Sequence, residues 1–338
     1  MKKETKSVII VFIIILILAG GCLWYAQYQK KQNSAFKFSE TNPTGNPSGY
    51  STDTIDIKNS GDEYIAALYV EGTIEDANTT YNQAWLLGTI SRLKHDSNNV
   101  AIAMYVNSPG GAVYQADEVY FALKDYKDTG KKLYIYMGPL AASGGYYISC
   151  PADKIYANRN TLTGSIGVIA GQLIDATELL DDIGITIEAI HSGRNKLMGN
   201  FYSEITEEQE EIMQSISDEC YEQFTKIVAE SRGIPLNKVK DLADGRVYTA
   251  AQAKDLGLID KIDTWDNMIF IIRNYEVDLP NCKVITCRYE HKQTFRESLL
   301  GMISDIQNQQ AASKLGLPRS VMDDLQGFNS YPAYLYRQ

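Results

Sequence analysis

Two residues of this 338-residue chain could act as a nucleophile and its base: Ser143 in the run GPLAASGGYYIS and Lys196 in HSGRNK. A serine hydroxyl attacks only after a base takes its proton, and an uncharged lysine amine can do so. Small residues surround Ser143, so a substrate backbone could approach its hydroxyl closely. A helix that begins after Ser143 would aim backbone N–H groups at the reacting centre. Viewed alone, the same run is equally typical of a tight strand-to-helix turn.

A second element is the glycine-rich turn NSPGG at residues 107–111, which follows the apolar run VAIAMYV. A short apolar run of this kind predicts a buried strand. Pro109 fixes one backbone angle and the two glycines permit unusual ones, so the turn can point bare N–H groups inward. An oxyanion hole requires such groups. The ordinary alternative is a turn that only reverses the chain between a strand and a helix.

A third element is TGSIGV, in which the Ser165 hydroxyl could hydrogen-bond and orient the Lys196 amine. Without such a group, a flexible four-carbon side chain would rarely point at the nucleophile. The lysine must also be uncharged, which requires burial. The apolar neighbours Leu197, Met198 and Phe201 could supply that pocket. A lysine viewed by itself is more often a solvated loop residue.

These runs, together with ADGRVYTAAQAKDLGLID, resemble the motifs of SppA-type signal peptide peptidases in sequence and in order. Those enzymes are serine/lysine peptidases of the ClpP/crotonase superfamily, and the likeness extends from about residue 64 to residue 263. It implies Ser143 as nucleophile, Lys196 as general base, Ser165 as the hydroxyl that holds the lysine, and the N–H groups of Gly110 and Gly144 as the oxyanion hole.

The resemblance also implies an architecture and an assembly. The family fold is α/β, with ClpP/crotonase-like repeated ββα units. Serine and lysine come from neighbouring units in the family, and this chain holds a single unit, so a homo-oligomeric ring with shared active sites is implied. Departures from the family pattern, at Pro139, at Cys150 and in the run KLMGNFY, bear on substrate preference more than on chemistry.

The order of apolar runs and helical stretches independently favours an α/β fold with a largely buried sheet. The predicted strands are 64–70, 100–106, 133–136, 154–157, 165–169 and 186–190. The predicted helices are 81–95, 113–126, one that begins at 143, 206–232, a short one after 235, and 250–256.

The amino terminus predicts a membrane anchor. Residues 8–26 carry no charged side chain, and as a helix they would be about 28 Å long, close to the hydrocarbon thickness of a bilayer. Lysines before this stretch favour a cytoplasmic segment 1–7 and an extracytoplasmic body. The alternative is a cleaved signal peptide with Cys22 acylated. The segments predicted to follow are a flexible linker (27–63), the catalytic domain (64–275) and a C-terminal extension with an apolar tail (276–338).

Charge and composition restrict the partners and cofactors. The formal net charge is −10, and the lysine-rich amino terminus leaves the remainder more acidic still, which argues against nucleic acid. The chain has only three histidines, His95, His191 and His291, and five scattered cysteines, which argues against a metal site, and no cofactor is expected. A histidine base is a minor alternative, with His191 nearest in sequence to Lys196. Cys282 and Cys287 could form a disulfide or remain unpaired.

The sequence therefore predicts a membrane-tethered serine endopeptidase with a Ser/Lys dyad, which degrades remnant signal peptides and other hydrophobic peptides. Two alternatives remain open: a catalytically silent membrane scaffold with the same fold, and an acyl-CoA-processing enzyme of the crotonase type. The tail sequence YPAYLY is apolar yet terminal. We expect it either to pack on its own domain or to dock in a substrate groove of its own or a neighbouring subunit.

Overall fold

The structure is a computed structural model that describes residues 62–291 and the backbone of residues 333–335. The predicted membrane helix (8–26), Cys22 and all but the end of the predicted linker lie outside this part of the chain. Within the described residues, no helix combines the length and apolarity that crossing a bilayer requires.

The centre of the fold is a sheet whose strands are buried on both faces. Strand β1 (Tyr64–Glu71) pairs in parallel with β2 (Asn99–Ser108), and β2 pairs in parallel with β4 (Lys132–Ala142). Their sequences are almost continuously apolar, as expected of parallel strands covered by helices. The remaining strands are β3 (Gly110–Ala112), β5 (Lys154–Ala157), β6 (Leu162–Gly164), β7 (Val247–Thr249), β8 (Lys261–Ile262), β9 (Lys283–Cys287) and β10 (Ala333–Leu335).

In the described part of the chain, the order across this sheet is β7-β6-β4-β2-β1-β9, with β5 between β4 and β8. The pairs are parallel except β6 with β7, so the sheet is mixed. The predicted α/β class is confirmed. Because β9 pairs with β1, the sheet continues to Cys287, beyond the residue 275 at which we placed the end of the catalytic domain.

Helices cover the sheet, and four of the eight in the described residues begin at a residue whose side chain caps the helix. The helices are α1 (Gln83–His95), α2 (Val113–Lys127), α3 (Gly144–Tyr147), α4 (Thr177–Asp182), α5 (Glu207–Arg232), α6 (Leu236–Leu242), α7 (Ala250–Asp255) and α8 (Trp265–Ile271), followed by a π-helical turn at Ile272–Glu276. As predicted, Thr206 caps α5 by accepting the Gln209 N–H, and Gly233 ends that helix in a left-handed conformation. Thr249 and Gln252 form a capping box at α7.

The two faces of the sheet have separate hydrophobic clusters. The larger cluster holds Leu68, Met104 and Cys287, and the smaller one holds Ile65, Met268 and Cys282. The two cysteines thus lie on opposite faces of the sheet, and both thiols are free. Of the two alternatives for this pair, the structure supports unpaired cysteines and contradicts the disulfide.

Two predicted strands differ from the structure. The strand expected at 165–169 lies earlier, at β6, because Ser165 has a positive φ of 48° that ends the extended conformation. Residues 186–190 form no strand, and Ile190 is fully exposed. They belong to a segment, residues 171–206, that contains α4 but no buried residue. We call this segment the arm.

Candidate active site

Ser143 lies at the turn between β4 and α3. Its backbone is in an unusual region, with φ 54° and ψ −117°, and the residue is 1% exposed. A non-glycine residue with positive φ is strained, and surrounding contacts must hold it there. The Ser143 N–H donates to the Gly164 carbonyl at 2.8 Å, and the Ser143 carbonyl accepts the Tyr147 N–H at 2.9 Å. The strand β6 and the helix α3 therefore fix the backbone conformation of Ser143, the predicted nucleophile.

The glycines that follow Ser143 permit a close approach between α3 and the end of β2. A Cβ on Gly145 would lie 2.8 Å from the Ser108 carbonyl oxygen, which no ordinary side chain tolerates. Gly144 is the first residue of α3, so its N–H has no acceptor inside that helix. This leaves the N–H next to the nucleophile in the position predicted for an oxyanion-hole donor.

Gly110 is the first residue of β3, separated from the end of β2 by Pro109, and it has a positive φ of 103°. Its N–H donates to the Ser108 hydroxyl oxygen at 3.1 Å, and Ser108 is fully buried. Ser108 in turn pairs with Ala141, two residues before the nucleophile. The predicted donor thus lies beside the Ser143 turn, but it must share or release its bond to Ser108 before it can bind a substrate oxygen.

Ser165 occupies the end of the neighbouring strand. Ala142 pairs with Gly164 across β4 and β6, and Ser143 and Ser165 are the residues that follow this pair. Because paired strands lie about 4.8 Å apart, the structure brings these two predicted site residues together. Ser165 is 6% exposed, and its N–H donates to the Arg246 carbonyl at 2.8 Å.

Lys196 lies in a different setting, on the arm. The residue is exposed, and its backbone N–H donates to the Gly193 carbonyl at 3.1 Å. Among residues 62–291, no hydrogen bond joins its ammonium group to Ser143 or Ser165. The apolar pocket that we expected is not formed within one chain, since Phe201 is 49% exposed.

The turn that carries Lys196 contacts the start of α5. Arg194 forms an ion pair with Glu208, and the Asn195 amide donates to the same carboxylate at 3.2 Å. His191 Nδ1 lies 3.2 Å from the Gly193 carbonyl oxygen, in this same turn. Within the described contacts, neither His95 nor His191 has a hydrogen bond to Ser143, so the geometry gives a histidine base no support.

The tail YPAYLY was expected to pack on its own domain or to dock in a substrate groove, and its residues 333–335 form β10, which pairs with β3. The role of Gly111 in this contact was not predicted. Gly110 and Ala112 bond to Ile74 through their carbonyl and N–H groups, both at 2.8 Å. Since backbone groups alternate along a strand, the N–H and carbonyl of Gly111 face the opposite edge, where Tyr334 of β10 pairs with it in antiparallel register. A Cβ on Gly111 would lie 1.9 Å from the Ile74 carbonyl oxygen. The second glycine of NSPGG was the available indication of this close contact.

The groups that the structure brings together around Ser143 are hydroxyl and backbone N–H groups. Within residues 62–291, no group of three or more His, Cys, Asp or Glu side chains is arranged to hold a metal ion. Ser143, Ser165, Gly110 and Gly144 come from the ends of adjacent strands, whereas Lys196 comes from the arm.

The chain is similar to one protein family, to two relatives of known sequence and to one solved structure. The profile of "Peptidase family S49" matches residues 125–276. A putative signal peptide peptidase SppA of Enterococcus faecium is 33% identical over 80% of this chain and 80% of its own length. A putative protease of Synechocystis sp. is 33% identical over 83% of this chain and 99% of its own. A solved structure of a ClpP1 mutant from Listeria monocytogenes matches 60% of this chain and 94% of that one, with 19% identity and a TM-score of 0.41.

Proposed function

Because this chain belongs to peptidase family S49 and is a serine peptidase, we propose that it is a membrane-tethered endopeptidase with a Ser143/Lys196 dyad. Its substrates in this proposal are remnant signal peptides and other hydrophobic peptides. The observation that carries the proposal is Ser143 itself, held at φ 54° between a strand and a helix and beside the Gly110 turn.

The proposed chemistry is acyl transfer. The Ser143 hydroxyl oxygen attacks the scissile carbonyl while the uncharged Lys196 amine takes the hydroxyl proton, and that proton then passes to the leaving amine. Water hydrolyses the resulting ester with Lys196 again as the base. The N–H groups of Gly110 and Gly144 stabilise the negatively charged oxygen in both steps, and each is worth about 3–4 kcal/mol in such sites.

A peptide substrate would bind as an added β-strand. The edge of β3 that faces away from Ile74 presents the Gly111 N–H and carbonyl, and in this structure β10 pairs with that edge. Strand addition uses main-chain bonds and therefore accepts many sequences, which suits an enzyme that clears varied peptides. In this proposal the tail occupies the position that a substrate would take.

We further propose that a neighbouring copy supplies Lys196. The arm that carries it has no buried residue, yet it exposes the apolar side chains of Ile174, Ile187, Ile190 and Phe201. Exposed apolar surface of this kind is typical of an interface. Burial of the arm against a second copy would exclude water from Lys196, as an uncharged amine requires. Repetition of this contact around an axis would give the homo-oligomeric ring with shared active sites.

The fold and the cell location complete the proposal. β2, β3 and α2 follow one another as a ββα unit, and β1, the bridge at Ile74 and α1 repeat that order, as expected of a ClpP/crotonase-like fold. The uncharged residues 8–26 would form the single membrane span, with the amino terminus cytoplasmic and the catalytic domain extracytoplasmic.

Mixing two inactive variants tests the shared site. Ser143→Ala and Lys196→Ala chains should each lose peptide hydrolysis, and co-assembly of the two should restore part of it, because one interface then holds an intact serine and an intact lysine. The matched control is Lys238→Ala, which removes another exposed lysine and should leave activity unchanged.

The alternatives give different outcomes. A Lys196→Ala chain with full activity would overturn the dyad, and a failure of the mixture to regain activity would place both groups in one chain. Absence of labelling of wild-type Ser143 by a fluorophosphonate would favour the silent scaffold. Thioester turnover without peptide cleavage would favour acyl-CoA processing.

A further inference from the structure

The motif ADGRVYT has no role in the chemistry described so far, yet its first residues contact Ser165. The turn Asp244–Gly245–Arg246 precedes β7, which pairs with β6. The Ser165 N–H donates to the Arg246 carbonyl at 2.8 Å, and the Gly245 N–H donates to the Ile166 carbonyl at 3.2 Å. These two bonds lie on either side of the dipeptide Ser165–Ile166, in which Ser165 has the unusual φ of 48°.

The turn is itself closed by one pair of side chains. Arg246 Nε lies 2.8 and 2.7 Å from the two Asp244 carboxylate oxygens, and Arg246 Nη2 donates to the same carboxylate. The Asp244 carboxylate also accepts the Arg246 backbone N–H at 3.1 Å. The Arg246 side chain lowers the pKa of Asp244 below its ordinary value, so the carboxylate is charged at neutral pH.

The turn and the Ser165 segment also pack closely. A Cβ on Gly167 would lie 3.3 Å from the Gly245 Cα, and a Cβ on Gly164 would lie 2.6 Å from the Tyr248 ring. A strained backbone persists only where its surroundings over-determine it. For Ser165 those surroundings are this turn on one side and β4 on the other.

We infer that the Asp244–Arg246 pair positions Ser165, and through its hydroxyl the amine of Lys196. The inference rests on the proposed function, in which Ser165 orients the base. Both side chains lie at the surface, with 43% and 64% of their area exposed, so replacing them leaves the core intact. They are positioning residues, because neither bonds the Ser165 hydroxyl.

A double-mutant cycle in the full-length protein tests this inference. Asp244→Asn should lower kcat for peptide hydrolysis about fivefold, the upper end for an exposed ion pair, with KM unchanged. Asp244→Glu should recover part of the loss, and Asp241→Asn, at an exposed residue of α6 three positions earlier, should have no effect. In a Ser165→Ala background, Asp244→Asn should cause no further fall, because the residue through which it acts is gone.

If Asp244→Asn lowers kcat by the same factor in the wild-type protein and in the Ser165→Ala background, the inference is overturned and the pair has a general structural role. A wild-type kcat for Asp244→Asn would overturn it as well, provided Ser165→Ala is impaired. If Ser165→Ala is itself fully active, the proposed role of Ser165 fails first, and the positioning inference fails with it. Thermal unfolding of every variant separates loss of activity from loss of folded protein.

Discussion

The region around Ser143 and the arm around Lys196 are constructed in opposite ways. Ser143, Ser165 and Ser108 are buried, and backbone bonds to neighbouring strands hold each of them. Lys196 is exposed, and Arg194 and Asn195 in its turn bond to a single carboxylate, that of Glu208. Contacts within one chain fix the backbone around Ser143, whereas Lys196, the proposed base, needs further contacts to be positioned.

The largest expected effect comes from a substitution in the buried region around Ser143. Ser143→Ala should reduce kcat for peptide hydrolysis by roughly 10⁴-fold or more, since it removes the hydroxyl that the proposed mechanism uses for the attack. Ser149→Ala is the matched control: this serine is also fully buried, and its hydroxyl donates to the Gly145 carbonyl at 2.7 Å. It should lower stability by about 1 kcal/mol but keep most of the activity. Similar kcat values for the two variants would contradict the assignment of Ser143.

A smaller but still large effect tests the arm. Ile190→Glu should dissociate the assembly and lower peptidase activity at least about tenfold, because a charge would be buried at the proposed interface. Ile190 is 100% exposed in one chain, so the substitution should leave the chain folded. Phe270→Glu, at a 52% exposed residue of α8, is the control and should change neither the assembly nor the peptidase activity. Light scattering measures the size of the assembly, and activity assays measure peptide hydrolysis. An unchanged oligomer for Ile190→Glu would show that the arm is not part of the interface.

The same contrast explains what the sequence could predict. The strand before NSPGG, the turn at Ser143, the cap of α5 at Thr206 and the capping box at Thr249 all follow from neighbouring residues. Local patterns specify local backbone geometry. The five motifs also identified an SppA-type chain, and the match to peptidase family S49 confirms that resemblance.

What failed depended on distant parts of the chain. Residues 186–190 have the composition of a strand, but no neighbouring strand pairs with them. The β-branched run at 283–287 was assigned to an extension, yet it completes the sheet beside β1. The docking role of Gly111 is visible only once Ile74 and Tyr334 are placed on either side of it. Sequence alone does not specify these partners.

A moderate effect concerns the strand that pairs with the site. Removing residues 331–338 should raise kcat/KM for a peptide substrate by about threefold, because the β3 edge becomes free for strand addition. Tyr334→Pro should act similarly, since proline lacks the N–H that faces Gly111. Steady-state kinetics with an internally quenched peptide measures this. Unchanged kinetics for both variants would show that β10 does not occupy the substrate groove.

The smallest expected effect is a change in the stability of the sheet region, which tests whether that stability limits turnover. Gly88 lies at an exposed position of α1, and no atom outside the backbone of its own helix comes within 4 Å of the place that a Cβ would take. Gly88→Ala should therefore raise the free energy of unfolding by about 0.5–1 kcal/mol. Gly130 has equal space but a φ of +88°, so Gly130→Ala should instead destabilise the chain. Chemical denaturation measures both. If the placement of Lys196 by the arm limits catalysis, Gly88→Ala should leave kcat unchanged. A kcat that changes together with the free energy of unfolding would show that the sheet region and the arm are coupled.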